Sequence, residues 1–536
     1  MQVRNLSILT LLISFSFLTT KAQQPSWIWA KEVSNYHSFD PPLQITSDQT
    51  GNVYLTGSLR SYNSIDTMIL RKFNANGDTV WQRTALNLYD TNSLFYFGSQ
   101  GYSVKTDGVG NVYVAGNFSD KVVFGTDTLA SAGLLDIFLV KYNQNGNVIW
   151  AKSAGGVCTD RISWDGMCIR DGNVFITGYY GLYNPSSATP TLQFDTITVT
   201  SHGGTDNFIA SYDTAGNIRW AKTLGGAKDD AISYTINMVN TDAAQNLYLG
   251  GDFAGAAYFG NAQVASDSGY YLLKCDINGN LLWAKTITGE VFIGPFISTD
   301  IAGNSYITAT ALGQMNFGNQ TFADYNFLAK YDPNGVLLWV RDLGNSLNFA
   351  TITADLSGAY LLSSFSNNDV VYGDTLTSEG GSDIPVSSFD VNGTKRWTIQ
   401  AGGRGDDYSY SMCLSSGDLL VCGTHEDTIN FGNARLSGKG AFISKLQLPT
   451  GVINVGTKAK NISLYPNPNT GNFTIDLQSN TYQSLRITDI TGKQVYQQSI
   501  NPASQQQINL KLPDGVYFIR LTGKGEAVVQ KFIVQH

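Results

Sequence analysis

Apolar and polar residues alternate along residues 136–152, DIFLVKYNQNGNVIWAK, on both sides of a short polar stretch. Phe138 and Val140 share one face of the first half, and Trp150 follows the same two-residue period in the second half. Residues 143–146 supply a turn, because Asn bonds its own backbone and Gly accepts the positive φ that a bulged hairpin needs. The pattern predicts a β-hairpin.

This hairpin recurs along the chain. Its last strand carries a tryptophan each time, at Trp81, Trp150, Trp220, Trp283, Trp339 and Trp397. A second type of hairpin, with an Asp-x-x-Gly-Asn turn in its clearest copies, begins at residues 45, 104, 168, 239, 298, 352 and 411. Two hairpins per repeat give the four antiparallel strands of a propeller blade, and strands at this spacing exclude a helical solenoid. The sequence therefore predicts an all-β chain with a seven-bladed β-propeller.

The two ends of the repeat array predict how the ring closes. The seventh repeat has a third strand at 440–448 but lacks the tryptophan strand that should follow it. Residues 26–31, SWIWAK, match that missing strand and have no hairpin before them. Pairing of these two segments would leave no unpaired strand edge at the joint. We therefore expect residues 23–447 to form a propeller that is closed by the N-terminal strand.

The repeats resemble a known family of secreted propellers. A Phe-Gly pair follows the second strand at Phe124-Gly125, Phe259-Gly260, Phe317-Gly318 and Phe431-Gly432. A D-x-F strand, an Asn-Gly turn, a WAK strand, a GG pair and the Asp-x-x-Gly-Asn turn complete the pattern over residues 25–450. This order resembles the SBBP-type β-propeller repeat. The resemblance implies that the loops entering successive blades crowd one face of the ring, around a central channel.

Residues 1–22 have the composition of a cleaved export signal. One Arg precedes the apolar run LSILTLLISFSFL, and the small residue Ala22 precedes Gln23. This run is short for a membrane anchor, and no later run approaches the roughly 20 residues of a membrane-spanning helix. Because Gln23 rather than Cys follows the cut, lipid attachment is not expected. We expect no transmembrane segment after signal cleavage.

A different pattern begins after residues 448–461, which lack strand periodicity and are predicted to form a linker. Residues 462–536 contain short apolar strands with Gly-containing turns, and they predict a small C-terminal β-sandwich. The segment resembles the type A C-terminal sorting domain of the type IX secretion system. The matching residues are Pro466, Asn467, Pro468, Gly471, Gly515, Tyr517 and Lys531. The resemblance implies the type IX machinery as a partner and a secreted or surface-attached protein that passes through the periplasm; the alternative is a generic carbohydrate-binding or Ig-like sandwich.

Composition narrows the range of partners. Charged residues make up 14% of the chain, against about 25% in average proteins, while Gly (55) and Tyr (28) are plentiful, as expected for a turn-rich β protein. The formal net charge is −8 and the pI is near 5.0, without a Lys/Arg-rich run. Nucleic acid and anionic membranes are therefore not expected as partners.

Five cysteines lie beyond the signal, in a chain bound for an oxidising compartment. Cys413 and Cys422 lie on the two arms of one predicted hairpin, where a tight turn at residues 417–418 would place them opposite each other. Cys158 and Cys168 are ten residues apart, and Cys275 is left over. Disulfides within the first two pairs and buried free thiols both remain open.

Candidate chemistry is sparse. The four histidines lack metal-ligand spacing, and the sequence contains no HExxH, GxSxG or P-loop motif, so no catalytic residue and no cofactor site is predicted. The loops GGVCTD, GGAKDD and GGRGDD place Asp160, Asp230 and Asp407 in register just before a first strand. Around a channel mouth these carboxylates would be candidates for a structural Ca²⁺ or a cationic ligand. The alternative is that each Asp caps its own turn.

Three functions follow from these observations. The leading hypothesis is an exported protein whose propeller loops bind a protein or a glycan. The second is a structural spacer of the cell envelope without a soluble ligand. The third is a hydrolase or lyase, which would need a cleft with paired carboxylates about 5–10 Å apart. Exposed aromatic side chains near the channel would favour glycan binding over the spacer.

Overall fold

The computed structural model describes most of the repeat region and of the C-terminal segment. The described residues are 24–34, 43–59, 66–88, 97–183, 188–230, 238–265, 267–322, 326–344, 348–449, 462–477, 482–489, 494–500, 505–523 and 526–535. The predicted signal at 1–22 and residues 450–461 of the predicted linker lie outside them. The described chain is all-β, built from antiparallel sheets, and holds no helix that could cross a membrane.

The first half of the repeat region begins with β1 (Ser26–Ser34) and continues in four-stranded units that follow one another along the chain. Unit 1 is β2 (Gln44–Ser47), β3 (Val53–Leu59), β4 (Thr67–Phe73) and β5 (Thr79–Thr84). After β6 (Leu86–Leu88), unit 2 is β7 (Ser99–Thr106) and β8 (Val112–Phe118), the small hairpin β9 (Lys121–Phe124) and β10 (Asp127–Ala130), then β11 (Asp136–Tyr142) and β12 (Val148–Ala154). Unit 3 is β13 (Thr159–Arg170) and β14 (Asn173–Leu182), the hairpin β15 (Thr191–Phe194) and β16 (Ile197–Thr200), then β17 (Asp206–Asp213) and β18 (Ile218–Gly226).

The second half repeats this plan. Unit 4 is β19 (Met238–Thr241) and β20 (Leu247–Phe253), the hairpin β21 (Ala257–Phe259) and β22 (Ala262–Ala265), then β23 (Gly269–Cys275) and the first part of β24 (Leu281–Thr299). Unit 5 is the second part of β24, β25 (Ser305–Phe317), β26 (Gln320–Phe322), β27 (Asn326–Tyr331) and β28 (Leu337–Asp342). Unit 6 is β29 (Asn348–Asp355), β30 (Gly358–Val371), β31 (Asp374–Asp390) and β32 (Lys395–Gly403). Unit 7 begins with β33 (Asp407–Ser415), β34 (Asp418–His425), the hairpin β35 (Ile429–Phe431) and β36 (Ala434–Leu436), and β37 (Gly440–Gln447).

The N-terminal strand completes unit 7, as its sequence pattern predicts. β1 pairs antiparallel with β37, and the sheet order is β1, β37, β34, β33. The first strands of successive units also pack on one another in a closed cycle, since β2 contacts both β7 and β33. Two hydrogen bonds join the ends of this cycle: Ser411 Oγ lies 3.5 Å from the Ile45 nitrogen, and the Ser47 hydroxyl donates to the Leu414 carbonyl at 3.5 Å.

Hairpin turns follow the predicted chemistry. In the turn after β2, Asp48 Oδ1 accepts the backbone N–H groups of Thr50 and Asn52 at 2.9 and 3.0 Å. In the turn after β11, Gly146 has φ 78°, where a side chain would be strained. In the equivalent turns after β17 and β23, burial alone would raise the pKa of Asp213 and Asp276, but hydrogen bonds from Asn217 and Asn280 outweigh it and the pKa is lowered.

The C-terminal segment folds as two small sheets. One contains β38 (Ile462–Tyr465), β39 (Asn472–Leu477) and β42 (Gln505–Asn509); the other contains β41 (Gln494–Ser499), β40 (Tyr482–Asp489), β43 (Gly515–Gly523) and β44 (Glu526–Val534). Their inner faces share one core, in which Phe473 and Tyr517 both contact Phe532, with ring centroids 4.6 and 5.6 Å apart. This arrangement is the predicted β-sandwich.

Candidate functional site

The three predicted metal candidates lie at three separate junctions between units. Asp160 lies in β13, Asp230 follows the end of β18, and Asp407 begins β33; all three are fully buried. Each is therefore at the entrance to a new unit, as the register of the loops predicts. Among the described residues, no group of three or more His, Cys, Asp or Glu side chains could hold a metal ion.

Each of these carboxylates faces a second aspartate from the preceding unit. The pairs are Asp136 with Asp160, Asp206 with Asp230, and Asp383 with Asp407. All six side chains are at most 2% exposed, so none of the pairs lies in a cleft that a substrate could enter. The second members, Asp136, Asp206 and Asp383, were not among the predicted site residues. Their signal is nevertheless present, since each is the Asp of a D-x-F or related third strand.

The GG pair before each junction explains how two carboxylates fit there. A Cβ on Gly155 would lie 2.1 Å from Asp136 Cγ, so this position has room only for glycine. The next residue, Gly156, donates its N–H to Asp160 Oδ2 at 2.6 Å, and the Gly181 N–H reaches Asp160 Oδ1 at 3.1 Å. The GG sequence therefore serves close packing and carboxylate binding at once. Asp160 and Asp230 do cap backbone groups, as the alternative interpretation holds, but each also meets a second aspartate across its junction.

Burial gives these pairs unusual proton affinities. It is the largest cause of a rise to about 7 in the pKa of Asp136, Asp160, Asp206 and Asp230. The pKa of Asp407 rises to about 8, first through burial and then through the negative charge of Asp383. An ordinary Asp titrates near 4, so these groups change charge in the neutral range instead.

The strand β13 carries an excursion that no sequence pattern predicted. Its pairing with β14 shifts register between Thr159 and Arg161, stops after Ile162 and resumes at Met167, leaving residues 163–166 unpaired with β14. Asp165, at φ 51°, accepts a 2.6 Å hydrogen bond from Lys105 of unit 2. Burial alone would lower the pKa of Lys105, but the Asp165 carboxylate outweighs it and the pKa is raised. Trp164 packs against two hydrophobic clusters, one in units 2 and 3 and one in units 4 to 6.

Large apolar side chains are exposed where chain segments pass between units or between the second and third strands of a unit. We call this end of the units the loop face and define it by Leu86, Leu88, Val157, Tyr183, Phe292, Leu312 and Tyr408. The opposite end, the turn face, exposes Val109, Ile301 and Val336 in the hairpin turns. A third set lies on the outer strands and is spread around them, at Ile28, Val80, Ile149, Leu282 and Leu338.

An open groove of about 430 Å³ lies on the loop face. Its lining includes Tyr183, Pro190 and Asp229. Tyr183 is 72% exposed and has φ 51°, a backbone conformation that a tyrosine rarely adopts. The groove thus combines an aromatic side chain held in an unusual conformation with one carboxylate, that of Asp229.

The cysteines are free thiols, in contrast to the disulfide hypothesis. The tight turn lies at Ser416 and Gly417, both at positive φ, and not one residue later as expected. Cys422 therefore faces Ser411, while Cys413 faces Leu420. Cys158 precedes β13 and Cys168 lies near its far end, so the strand between them keeps their Cα atoms well beyond the roughly 7 Å limit for a bridge.

The sorting-signal residues of the C-terminal sandwich cluster beside its last strand. Asn467, between Pro466 and Pro468, accepts the Ile533 N–H at 2.8 Å. Gly471 has φ 89°, and a Cβ there would lie 2.1 Å from the Leu510 carbonyl oxygen. Two further sorting residues belong to β43, where Gly515 is its first residue and the Tyr517 hydroxyl donates to the Pro513 carbonyl at 2.9 Å. Lys531 is exposed on β44 and is free of such a packing role.

Comparison with known families identifies this segment. Residues 463–535 match the family model described as the secretion system C-terminal sorting domain. The prediction of a type IX sorting domain is thereby confirmed, and such a domain implies that the protein is secreted or attached to the cell surface.

The chain has distant relatives among curated proteins. It is 24% identical over 310 residues to an uncharacterised WD repeat-containing protein of Acanthamoeba polyphaga mimivirus, covering 45% of this chain and 22% of that protein. It is 23% identical over 395 residues to the regulatory protein FlaEY of Caulobacter vibrioides, covering 67% of this chain and 40% of that protein. The chain thus spans less than half the length of either relative.

Solved structures with propeller-like folds resemble this chain only weakly, in both sequence and backbone superposition. A putative 6-phosphogluconolactonase from Bacteroides fragilis shares 13% identity, with a TM-score of 0.39, over 74% of this chain and 99% of that one. A rhamnogalacturonan lyase shares 10% identity, with a TM-score of 0.30, over 96% of this chain and 91% of that one. Similarity at this level carries no argument about activity.

Proposed function

We propose that this protein is an exported seven-bladed β-propeller that binds an extracellular protein through its loop face. The observation that carries the binding proposal is the exposure of large apolar side chains on that face, with Tyr183 72% and Val157 55% exposed. Single exposed apolar residues are ordinary, but a set gathered at one end of a domain is typical of an interaction surface. The C-terminal domain directs type IX secretion, after a signal peptide at 1–22 has delivered the chain to the periplasm.

The seven four-stranded units are the blades of this propeller. The cyclic packing of their first strands and the pairing of β1 with β37 support a closed ring. The repeat pattern, which resembles the SBBP type, supports the same architecture. A closed ring suits a binding protein because it holds the loops of successive blades on a rigid frame.

A protein partner fits the loop face better than a glycan does. Four of the seven residues that define the loop face are aliphatic (Leu86, Leu88, Val157 and Leu312), and these offer no ring on which a sugar could stack. A face that exposes both aliphatic and aromatic side chains is typical of surfaces that another protein covers. A glycan ligand and a spacer without a ligand are the alternatives that the experiment must separate.

The test places a photo-crosslinking amino acid at Tyr183 on the loop face and, as the matched control, at Val109 on the turn face. The two variants are expressed in the producing cells, irradiated, and their adducts are identified by mass spectrometry. We expect one reproducible extracellular protein adduct from position 183 and none from position 109. Equal labelling from both faces, or no adduct together with binding on a glycan array, would overturn the proposal of a protein partner.

A further inference from the structure

Three junctions between units each enclose two buried aspartates. In the best-defined junction, Asp206 begins β17 and Asp230 lies in the loop after β18. Asp206 Oδ1 and Asp230 Oδ2 both lie within 2.6 Å of the point where a Cβ of Gly225 would stand. The two carboxylates are therefore immediate neighbours, and both side chains are fully buried.

The hydrogen bonds at this junction leave one atom without a donor. Asp206 Oδ2 accepts the His202 N–H at 2.7 Å, and Asp230 accepts the N–H groups of Gly226 and Ala254. Asp206 Oδ1 is buried and accepts no hydrogen bond from a donor in the described residues. Oδ1 of Asp136 and Oδ1 of Asp383 are in the same condition at the other two junctions. A buried carboxylate oxygen without a donor is costly, and a neighbouring carboxylate can supply a donor only if one of the two is protonated.

We infer that each pair of aspartates shares one proton at neutral pH, and that loss of this proton loosens the junction between neighbouring units. In the protonated pair, the carboxylic O–H of one aspartate donates to the carboxylate oxygen of the other. When the proton leaves to water, two negative charges face each other in a buried space. The junction then opens to admit water or cations, because both charges need solvation.

Other charged and titratable groups face the same junction. The His202 ring nitrogen Nδ1 lies 3.4 Å from Asp206 Oδ2, and the negative charge of Asp229 also acts on Asp206. Tyr180 of β14 faces Asp206, and its hydroxyl lies 2.8 Å from the Thr223 hydroxyl. Tyr271 of β23 faces Asp230 and also Asp252 of β20. At the junction of Asp136 and Asp160, the neighbouring titratable groups are Cys158 and Tyr180. At the junction of Asp383 and Asp407, they are Glu379, Asp406 and His425.

The sign of the pH effect follows from the direction of the shifts. The pKa of Asp206 and that of Asp230 are raised to about 7, mainly by burial, whereas an unfolded Asp titrates near 4. The folded state thus holds a proton that the unfolded state has already lost. Its stability contribution is complete below about pH 4 and is lost as the pH rises through 7. The wild-type protein should therefore become less stable between pH 5 and pH 9.

The loop face is coupled to these junctions. Asp160 accepts the N–H of Gly181, two residues before the exposed Tyr183. Asp230 likewise accepts the Ala254 N–H in the connection after β20. Deprotonation therefore changes the anchoring of loops on the proposed binding face, although the proton-sharing itself does not depend on any partner.

The experiment measures proton release on unfolding of the mature protein. Calorimetric unfolding at pH 6, in buffers of different ionisation enthalpy, should show release of about one proton per pair. Asp206→Asn keeps the shape and supplies a permanent N–H donor, so it should release about one proton fewer and flatten the decline of Tm between pH 5 and 9. Asp213→Asn, in an exposed turn where the pKa is lowered, is the matched control and should leave both quantities unchanged.

A second measurement requires no variant. The infrared band of protonated carboxyl groups should be present in the folded wild-type protein at pH 6 and disappear by pH 9. Absence of that band at pH 6, or a Tm that rises from pH 6 to 9, would overturn the proposal. If Asp206→Asn does not fold, Asp136→Asn tests the equivalent pair.

Discussion

Trp29 in the N-terminal strand lies against Gly77 in the turn between β4 and β5, with its Cζ3 atom 3.0 Å from where a Gly77 Cβ would stand. The same contact joins a tryptophan to the turn glycine of the following unit at Trp81–Gly146, Trp150–Gly216, Trp220–Gly279, Trp283–Gly335 and Trp339–Gly393. β1 therefore takes over the packing of a fourth strand as well as its hydrogen bonds. The tryptophan repeat is explained by this contact between units.

Gly77→Ala tests the contact between Trp29 and the turn. The new Cβ would be strained at φ 80° and would also crowd Trp29 and Lys31. Gly172→Ala is the matched control, because φ is 78° there and nothing lies within 4 Å of the new Cβ. We expect Gly172→Ala to lower the free energy of unfolding by about 1 kcal/mol and Gly77→Ala to lower it by roughly 1 kcal/mol more. Equal losses in chemical denaturation would contradict the packing argument.

Removal of the N-terminal strand should weaken the whole repeat region. A chain that begins at Pro41 loses β1, its pairing with β37 and the Trp29 contact, and it leaves β37 as an exposed edge. We expect a clearly lower Tm and more aggregation than in the mature protein. A Tm unchanged by this truncation, measured by calorimetry, would show that β1 is a dispensable terminus.

The hairpins could be predicted from sequence because each is specified locally. Strand alternation and the turn residues lie within a dozen positions, so the seven first hairpins, the six second hairpins and the pairing of β1 are all found as expected. The aspartate pairs could not be predicted, since Asp206 and Asp230 meet across a junction that only the packing of two units creates. The interruption of β13 at residues 163–166 could not be predicted either, because the segment follows the strand pattern and contains no proline and only one glycine, Gly166, that would signal a break.

The cysteine register shows how sensitive a cross-strand prediction is to turn placement. Ser415 pairs with Asp418 around the turn residues Ser416 and Gly417. A turn placed one residue later would pair Cys413 with Cys422, whereas the observed turn pairs Cys413 with Leu420. A one-residue shift of the turn therefore moves the opposite partner by two positions.

The Lys105–Asp165 ion pair should contribute measurably to stability. Its 2.6 Å contact joins units 2 and 3, and the two side chains are only 26% and 29% exposed. In a double-mutant cycle of Lys105→Met and Asp165→Asn, we expect a coupling energy of about 1–3 kcal/mol. The exposed pair Lys439–Glu426, at 2.8 Å, is the matched control and should couple by less than about 1 kcal/mol. Equal coupling energies would remove any special role for the excursion of β13.

Glu32 should make the joint between β1 and unit 7 dependent on pH. His425 Nε2 lies 3.0 Å from Glu32 Oε2. Burial alone would lower the pKa of His425, but the contact with Glu32, the Asp427 carbonyl and the negative charge of Asp407 together raise it. The stability that protonation adds is complete below about pH 6.5 and is lost as the pH rises through the folded pKa. Glu32→Gln should therefore lower Tm at pH 5.5 and change it little at pH 9. Glu426→Gln, on the surface, is the control; a loss from Glu32→Gln that is equal at both pH values would contradict this account.

Export should depend on the sandwich at 462–536, whereas folding of the repeat region should not. Removing these residues takes away the sorting domain but none of the strands of the seven units, so a folded propeller should accumulate in the periplasm. Lys531 is exposed, so Lys531→Ala should leave the sandwich folded and tests whether the secretion machinery recognises this side chain. Gly471→Val should unfold the sandwich, because the new side chain meets the Leu510 carbonyl. Fractionation of the producing cells locates each variant, and mass spectrometry of the C-terminal peptide shows whether the exported form ends near residues 448–461. Normal export of the truncated chain would show that its route to the surface does not use this domain.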